Sequence, residues 1–150
     1  MRVVIQRVSN ASVYVDEKKI SSIKKGLLVF AGFEINDNIA DYNWIANKIL
    51  NLRIFSSKEN NMDLSVKDVK GDVLIVSQFT LHAKTKKGNR PSFIKSAKSE
   101  ISKTLYDNFV LAIRELYKNK ISEGVFGAEM KINLENDGPV TIIIDTKNKE

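Results

Sequence analysis

The side chains that could do chemistry in this sequence are concentrated at the end of one apolar run. Residues 73–76 are all branched and apolar, and Ser77, Gln78 and Thr80 follow them directly. A run of this length and composition predicts a strand buried on both faces. Hydrogen-bonding groups at the end of such a strand cost about 1–3 kcal/mol each when they lack partners. They therefore either satisfy nearby loop backbone or line a pocket, and their spacing alone leaves both interpretations open.

The same stretch predicts how these side chains are displayed. We expect the strand to run from residue 73 to residue 81. A regular strand would place Ser77 and Phe79 on one face and Gln78 and Thr80 on the other. In that arrangement the strand end presents polar side chains and free backbone N–H groups together.

The composition excludes several kinds of catalytic site. The chain has no cysteine and one histidine, His82. A Ser-His-Asp site would need His82 as its base, but a lone histidine at the start of a loop is more often a surface or packing residue. No cluster has metal-ligand spacing, and no glycine-rich nucleotide motif is present. An enzyme built on this sequence would therefore rely on backbone donors, geometry and substrate groups, without cofactor or metal.

The elements that must position these groups follow from hydrophobic periodicity. Residues 2–15, 20–23, 27–33 and 52–55 predict strands, and residues 39–50 and 99–119 predict amphipathic helices. Residues 129–134 and 140–144 predict a hairpin closed by Asn136-Asp137-Gly138. This order predicts one α+β domain over residues 1–150, with two helices packed on a mixed sheet.

The charge is positive and unevenly distributed. The formal net charge is +6, and residues 82–99 hold six basic residues and no acidic one: Lys84, Lys86, Lys87, Arg90, Lys95 and Lys98. Gly88 and Pro91 predict a loop here, beside the expected pocket. No apolar run is long enough to span a membrane, and the N-terminus reads as a strand rather than a signal peptide. With cysteine absent, we expect a cytoplasmic protein.

Two further positions are unusual. Gly138-Pro139 lies between the turn signal and the last strand, where it is either a plain turn or a tip that exposes carbonyls to a ligand. Arg7 lies inside the first strand and, taken alone, is typical of a solvated strand face.

Several motifs resemble one known family, the D-aminoacyl-tRNA deacylases. Residues 77–81 (SQFTL) and 136–141 (NDGPVT) are similar to its two main motifs. Residues 1–8, 48–55, 87–93 and 126–128 also resemble it, in family order, from Met1 to about Thr146. The chain departs from the family pattern at residues 16–23, which lack a glycine that the family often has there. It also departs at Lys84, where the family commonly has an acidic residue, and at Asn89, where it often has a basic one. These departures affect a hairpin and the expected tRNA-facing loop.

The resemblance implies an enzyme that hydrolyses the ester joining a D-amino acid, or glycine, to tRNA. It implies a barrel-like sheet and a homodimer in which a cis Gly138-Pro139 tip of one subunit enters the pocket of the other and rejects L-amino acids. The implied site residues are Ser77, Gln78, Phe79 and Thr80 for catalysis, Gly138 and Pro139 for chirality with support from Arg7, and Lys84, Lys86, Lys87 and Arg90 for tRNA.

Two other functions remain open from the sequence. A non-catalytic RNA-binding module would explain the basic loop, but it gives the polar strand end no role. A hydrolase of small D-amino-acid esters would explain the strand end, but it gives the basic loop no role. Thr80 as a covalent nucleophile is a further alternative within the enzyme hypothesis.

Overall fold

The structure is a computed structural model that describes residues 1–149. Its strands are β1 (Arg2–Val15), β2 (Lys18–Ile23), β3 (Gly26–Gly32), β4 (Asp72–Ser77), β5 (Ile121–Glu123) and β6 (Lys131–Asp145). Its helices are α1 (Ile39–Asn51) and α2 (Ser99–Leu116), and a short 3₁₀ helix covers Phe79–His82. The predicted α+β architecture is confirmed. Within residues 1–149, neither helix is apolar enough over a sufficient length to cross a membrane.

The strands form one mixed sheet that nearly closes into a barrel. Its order is β2-β1-β3-β4-β5, and β6 pairs with the other edge of β1. The β3–β4 and β4–β5 pairs are parallel, while β1 pairs antiparallel with β2, β3 and β6. The Ser21 hydroxyl donates to the Glu123 carbonyl (2.7 Å), and Lys120 Nζ donates to the Ser22 carbonyl (2.7 Å). These two bonds join β2 to the β5 side and draw the ends of the sheet together.

Strands β3 and β4 are buried on both faces, as their uninterrupted apolar runs predict. Leu27 and Val73 pack on one side, in the core that both helices cover. Leu28 and Leu74 pack on the other side, against the second half of β1. All four are fully buried, because every position of a strand between two layers meets a core.

Both helices have identifiable boundaries. Asn38 caps α1, because its Oδ1 accepts a hydrogen bond from Ala40 N (2.9 Å). The Asp41 carboxylate in turn accepts a hydrogen bond from Asn38 N (3.1 Å), which completes a capping box. Helix α2 ends at Leu116, three residues before the predicted end. Tyr117 leaves the helical conformation and donates its buried hydroxyl to the Gly71 carbonyl (2.6 Å). This tertiary bond ends a helix that periodicity would have continued.

The predicted C-terminal hairpin is wrong. Strand β6 runs unbroken from Lys131 to Asp145 and pairs with β1 along both halves, with irregular register around Val8. Asn136 Nδ2 donates to the Arg7 carbonyl (3.0 Å) and the Val140 carbonyl (3.1 Å), so its side chain replaces ladder bonds at the irregularity. Asn136 pairs with Val8 and Thr141 with Gln6, so residues 137–140 lie opposite Arg7 alone and form an enlarged bulge. The predicted turn does not form a hairpin because β1 is long enough to pair with both segments.

The predicted strand at residues 52–55 is also wrong. It reduces to a single bridge between Phe55 and Leu64. Phe55 N and Leu64 N each donate to the other residue's carbonyl (2.8 Å). The neighbouring Ile54 carbonyl is occupied by the Arg7 guanidinium instead, so pairing does not extend along the chain.

The turn between β1 and β2 generates a testable prediction. Asp16 and Glu17 both have positive φ (47° and 63°), the geometry of a two-residue hairpin turn that favours glycine. We expect Glu17→Gly to raise the free energy of unfolding by about 0.5–1 kcal/mol, since relief of the left-handed conformation outweighs the entropy of glycine. Urea unfolding measures the change. Lys18→Gly, one residue further on in extended backbone, is the control and should be destabilising; stabilisation by both would refute the explanation.

Candidate active site

Strand β4 ends at Ser77, earlier than predicted. Gln78 N donates to the Ala31 carbonyl (2.8 Å) beside the end of β3, and the chain then enters the 3₁₀ helix. A Cβ on Gly32 would lie 2.7 Å from the Gln78 carbonyl oxygen and 3.1 Å from His82 Cδ2. Glycine at this position therefore lets the chain fold tightly over the end of β3. The prediction of a continuous strand to residue 81 is wrong because β3 ends here and cannot pair further.

The turn leaves two backbone donors free. Neither Phe79 N–H nor Thr80 N–H has an acceptor among residues 1–149, while the next N–H, of Leu81, is bonded to the Gln78 carbonyl (3.3 Å). Both residues are exposed, with Phe79 54% accessible. Gln78 Nε2 donates to the Thr80 hydroxyl (2.5 Å) and so holds that side chain beside the free donors.

The segment before α2 supports the turn from outside. The Ser96 hydroxyl donates to the Phe79 carbonyl (3.0 Å). The Phe93 ring packs edge-on against the Phe79 ring, with centroids 5.0 Å apart. A backbone bridge between Glu34 and Ser96 ties this segment to the chain after β3. Ser96 therefore fixes the backbone carbonyl of Phe79, and Phe93 fixes its ring.

A cavity of about 540 Å³ opens beside this turn. It lies between the end of β4, the start of α2 and residues 126–132. Its lining includes three serine hydroxyls, of Ser77, Ser99 and Ser102, and none has a protein hydrogen-bond partner among the residues described. These hydroxyls are open to the cavity, where water or a polar ligand can reach them.

One wall of the cavity is held by an aromatic pair. The Phe126 ring lies against the Tyr106 ring, with centroids 5.7 Å apart. The Tyr106 hydroxyl donates to the Ile75 carbonyl of β4 (3.1 Å). Burial raises the pKa of Tyr106 well above its usual range, with help from the negative charge of Glu123, so this donor keeps its proton. Tyr106 therefore links the cavity wall rigidly to the strand.

The single histidine lies in the interior of the protein. His82 is 3% exposed, and its Nδ1 lies 3.4 Å from a Glu34 carboxylate oxygen. Its Nε2 is buried without a hydrogen-bond partner among residues 1–149. Over residues 1–149, no group of three or more acidic or histidine side chains is arranged to hold a metal ion.

The Gly138-Pro139 bond is cis, and both residues are exposed. They do not line the cavity of their own chain. Arg7 lies beneath them, 8% exposed, and donates to three carbonyls: Ile54 (Nη1, 2.5 Å), Asp137 (Nε, 3.0 Å) and Gly138 (Nη2, 3.4 Å). The interpretation of Arg7 as a solvated strand residue is wrong. It contacts the Gly-Pro segment in the way that the resemblance implies.

Comparison with known proteins decides the family. The family model described as D-Tyr-tRNA(Tyr) deacylase matches residues 4–145. The chain belongs to the D-Tyr-tRNA(Tyr) deacylase family.

Relatives within the D-Tyr-tRNA(Tyr) deacylase family align along the whole chain. D-aminoacyl-tRNA deacylases of Flavobacterium psychrophilum and Bacteroides thetaiotaomicron are 57% and 52% identical, each with 100% of both chains covered. A solved structure named c-Myc DNA unwinding element binding protein has a TM-score of 0.93 at 38% identity and covers 97% of this chain and 99% of its own. A solved structure of a probable eukaryotic D-amino acid tRNA deacylase has the same fold, with a TM-score of 0.82 at 22% identity. The match covers 95% of this chain and 97% of that one.

The basic loop of this deacylase-family chain lies outside the cavity. Lys84, Lys86, Lys87 and Arg90 are all exposed. The loop is closed by two backbone bonds between Lys84 and Ser92 (2.8 and 3.0 Å). Within residues 1–149, none of these four cations forms an ion pair with an acidic side chain. Their charge is therefore available to an anionic partner.

Sequence reasoning missed part of the site. Ser96 lies in a loop without hydrophobic periodicity, so no sequence pattern indicated its contact with Phe79. That contact forms only in the folded protein. Ser102 carried a usable signal, because it lies three residues before Leu105 on the apolar stripe of α2. A serine on a buried helical stripe indicates either a packed hydroxyl or a cavity.

Arg7 provides a stability prediction for this deacylase-family fold. Arg7→Lys keeps the charge but loses the fork that reaches three carbonyls, so we expect the free energy of unfolding to fall by about 3 kcal/mol. Amide hydrogen exchange should also accelerate at Asp137, Gly138 and Val140 before the rest of β6. Arg90→Lys, on the exposed loop, is the matched control and should change neither quantity. Equal stability of the two variants would show that the three contacts contribute little.

Proposed function

We propose that this protein hydrolyses the ester between a D-amino acid, or glycine, and the 3′-terminal adenosine of tRNA. The observation that carries the proposal is the pair of free N–H donors on Phe79 and Thr80, which lie at a cavity with unpaired hydroxyls. Two adjacent backbone donors suit the oxyanion that forms when water attacks an ester carbonyl. Membership of the deacylase family supports this reaction class.

The chemical step then needs little from side chains. The N–H groups of Phe79 and Thr80 bind the ester carbonyl oxygen and stabilise its negative charge as water attacks. Loss of one such donor costs about 2.7–4 kcal/mol of barrier in other enzymes. His82 is buried, and no hydrogen bond joins an acidic or histidine side chain to Phe79 or Thr80 among residues 1–149, so in this mechanism the vicinal 2′-OH of the terminal ribose assists the water. The bond to the ribose 3′-oxygen breaks, and a free D-amino acid and tRNA leave.

The terminal nucleoside occupies the cavity beside the turn. Ser77 offers an unpaired hydroxyl at its mouth, and Gln78 orders Thr80. The exposed ring of Phe79 provides a surface on which a base or ribose can rest. Because Phe93 and Ser96 hold Phe79, the reacting carbonyl meets donors that are already in position.

Chirality is read by Gly138-Pro139 of a second subunit. The tip is exposed and does not line its own cavity, and Arg7 holds its carbonyls in place. Strand β6 also has an unpaired outer edge among the described residues, and Ile143 on it is 67% exposed. A homodimer that covers this surface would bring each tip to the other cavity. A D side chain points to solvent there, whereas an L side chain strikes the tip.

The required discrimination is modest in energy. A preference of about 10⁴ corresponds to about 5.5 kcal/mol, which steric conflict with a firmly held main chain can supply. A filter of this kind accepts many D side chains and does not exclude glycine, which has no side chain to strike the tip. The four cations of the loop, Lys84, Lys86, Lys87 and Arg90, bind tRNA phosphates in the cytoplasm, with affinity that falls as salt rises.

The two rival functions make different predictions. An RNA-binding module would retain tRNA without hydrolysing D-Tyr-tRNA above the buffer rate. A hydrolase of small esters would cleave a free D-tyrosine ester as well as the tRNA ester. Its activity would also be indifferent to neutralisation of Lys86, Lys87 and Arg90.

The proposed mechanism is tested with three substrates and one variant. Wild-type protein should deacylate D-Tyr-tRNA, should spare L-Tyr-tRNA, and should act at least about 100-fold more slowly on D-Tyr-tRNA ending in 2′-deoxyadenosine. Thr80→Val, which keeps the N–H but lacks the hydroxyl, should retain turnover within about tenfold. Quenched time courses with radiolabelled amino acid measure all four rates. Complete loss of D-Tyr-tRNA turnover in a folded Thr80→Val protein would instead favour Thr80 as the nucleophile.

The proposed filter is tested by relaxing the tip. Gly138→Ala combined with Pro139→Ala should raise the ratio of L-Tyr-tRNA to D-Tyr-tRNA hydrolysis by at least about tenfold, because the tip no longer meets the L side chain. Pro91→Ala, at the chain's other proline on the exposed loop outside the cavity, is a comparison that should leave the D/L ratio unchanged. An unaltered ratio in the double variant would remove the tip from chiral selection.

A further inference from the structure

The hydrogen bond from Ser96 acts on the same peptide unit that carries one of the two free donors. The Ser96 hydroxyl donates to the Phe79 carbonyl (3.0 Å), and that carbonyl and the Thr80 N–H belong to one planar amide group. The Thr80 N–H itself has no acceptor among residues 1–149. One end of this amide therefore receives a side-chain hydrogen bond, while the other end offers its N–H to a ligand.

A hydrogen bond to an amide carbonyl changes the N–H group on the other side of the amide. It draws electron density towards the oxygen, increases the double-bond character of the C–N bond and leaves the N–H more positive. Hydrogen bonds that polarise one another in this way are strengthened by about 10–30% each. The free Thr80 N–H is therefore a stronger donor with the Ser96 hydroxyl in place than without it.

Ser96 is held against this amide by main-chain bonds to neighbouring segments. Its N–H donates to the Phe93 carbonyl (2.9 Å), and it forms a backbone bridge with Glu34. The next residue, Ala97, is buried and donates its N–H to the Phe33 carbonyl (2.9 Å). Ser96 does not line the cavity. It therefore acts on a molecule in the cavity through the amide that it bonds, and not by direct contact.

The second free donor lies in a peptide unit that Ser96 does not touch. The Phe79 N–H shares its amide with the Gln78 carbonyl, which accepts a hydrogen bond from the Leu81 N–H at 3.3 Å. This bond is longer than the usual 2.9–3.0 Å of an N–H···O bond. It also joins main-chain atoms only. Loss of the Ser96 hydroxyl therefore weakens the Thr80 donor and leaves the polarisation of the Phe79 donor unchanged.

We infer that Ser96 is a positioning residue that orients and polarises the Thr80 N–H for the oxyanion of the reaction. The inference rests on the proposed function, in which the N–H groups of Phe79 and Thr80 bind the ester carbonyl oxygen. Negative charge on that oxygen grows as water attacks, so a stronger donor stabilises the transition state more than the bound ester. Ser96 therefore contributes to kcat and little to KM.

Removal of the hydroxyl tests this inference in the full-length protein. In Ser96→Ala we expect kcat for D-Tyr-tRNA to fall about 3- to 10-fold with KM unchanged, and Ser96→Thr, which restores a hydroxyl, should recover most of the loss. Thr104→Ala is the matched control, because the exposed Thr104 hydroxyl also donates to a main-chain carbonyl, that of Glu100 (3.2 Å). It should change neither constant. Equal kcat in wild type and Ser96→Ala would overturn the inference.

Amide hydrogen exchange, measured by NMR, separates polarisation from mechanical support. Base-catalysed exchange of an exposed amide follows the acidity of its N–H, so the Thr80 amide should exchange more slowly in Ser96→Ala while the Phe79 amide keeps its rate. Faster exchange at Thr80, or no change, would show that Ser96 does not polarise this donor and would overturn the inference. If Thr80 exchange slows but the wild type does not hydrolyse D-Tyr-tRNA, the polarisation stands, whereas the proposed function and the catalytic use of Ser96 fail.

Discussion

The buried guanidinium of Arg7 is the interaction on which the geometry of the Gly-Pro tip depends. A charge at 8% exposure is tolerable only when its donors are matched, and Arg7 meets the carbonyls of Ile54, Asp137 and Gly138. These acceptors come from the chain after α1 and from the bulge in β6. One side chain therefore joins the helix layer, the central strand and the exposed tip, and the tip cannot move without leaving a buried donor unpaired.

A second constraint acts at the end of β4. The strand is buried on both faces up to Val76, so its carbonyls and N–H groups are used in pairing. Pairing stops where β3 stops, and the tight fold over Gly32 leaves the N–H groups of Phe79 and Thr80 without acceptors. The N–H groups of Phe79 and Thr80 are therefore free because the pairing between the parallel strands β3 and β4 ends just before them. In the proposed mechanism these main-chain N–H groups bind the reacting carbonyl, so that mechanism calls on no histidine, cysteine or metal ligand.

The local sequence predicted much of this arrangement. Periodicity located β1, β3 and β4, as well as both helices, because one-sided and two-sided burial leave clear patterns in the chain. The motif at Ser77–Leu81 and the one around Gly138 were sufficient to indicate the family that comparison then confirmed. The absence of cysteine and the single histidine led to the prediction that an enzyme of this sequence would use backbone donors, and that prediction stays a proposal.

What the sequence determined by itself was therefore the set of elements, the family and the residues available for chemistry. Only the tertiary structure decided that residues 137–140 form a bulge, because a turn signal cannot reveal that β1 extends far enough to pair with both flanks. The burial of Arg7 and the support of Phe79 by Ser96 were likewise set by the fold. Each depends on segments distant in the chain, and local periodicity carries no information about which distant carbonyl a side chain will meet.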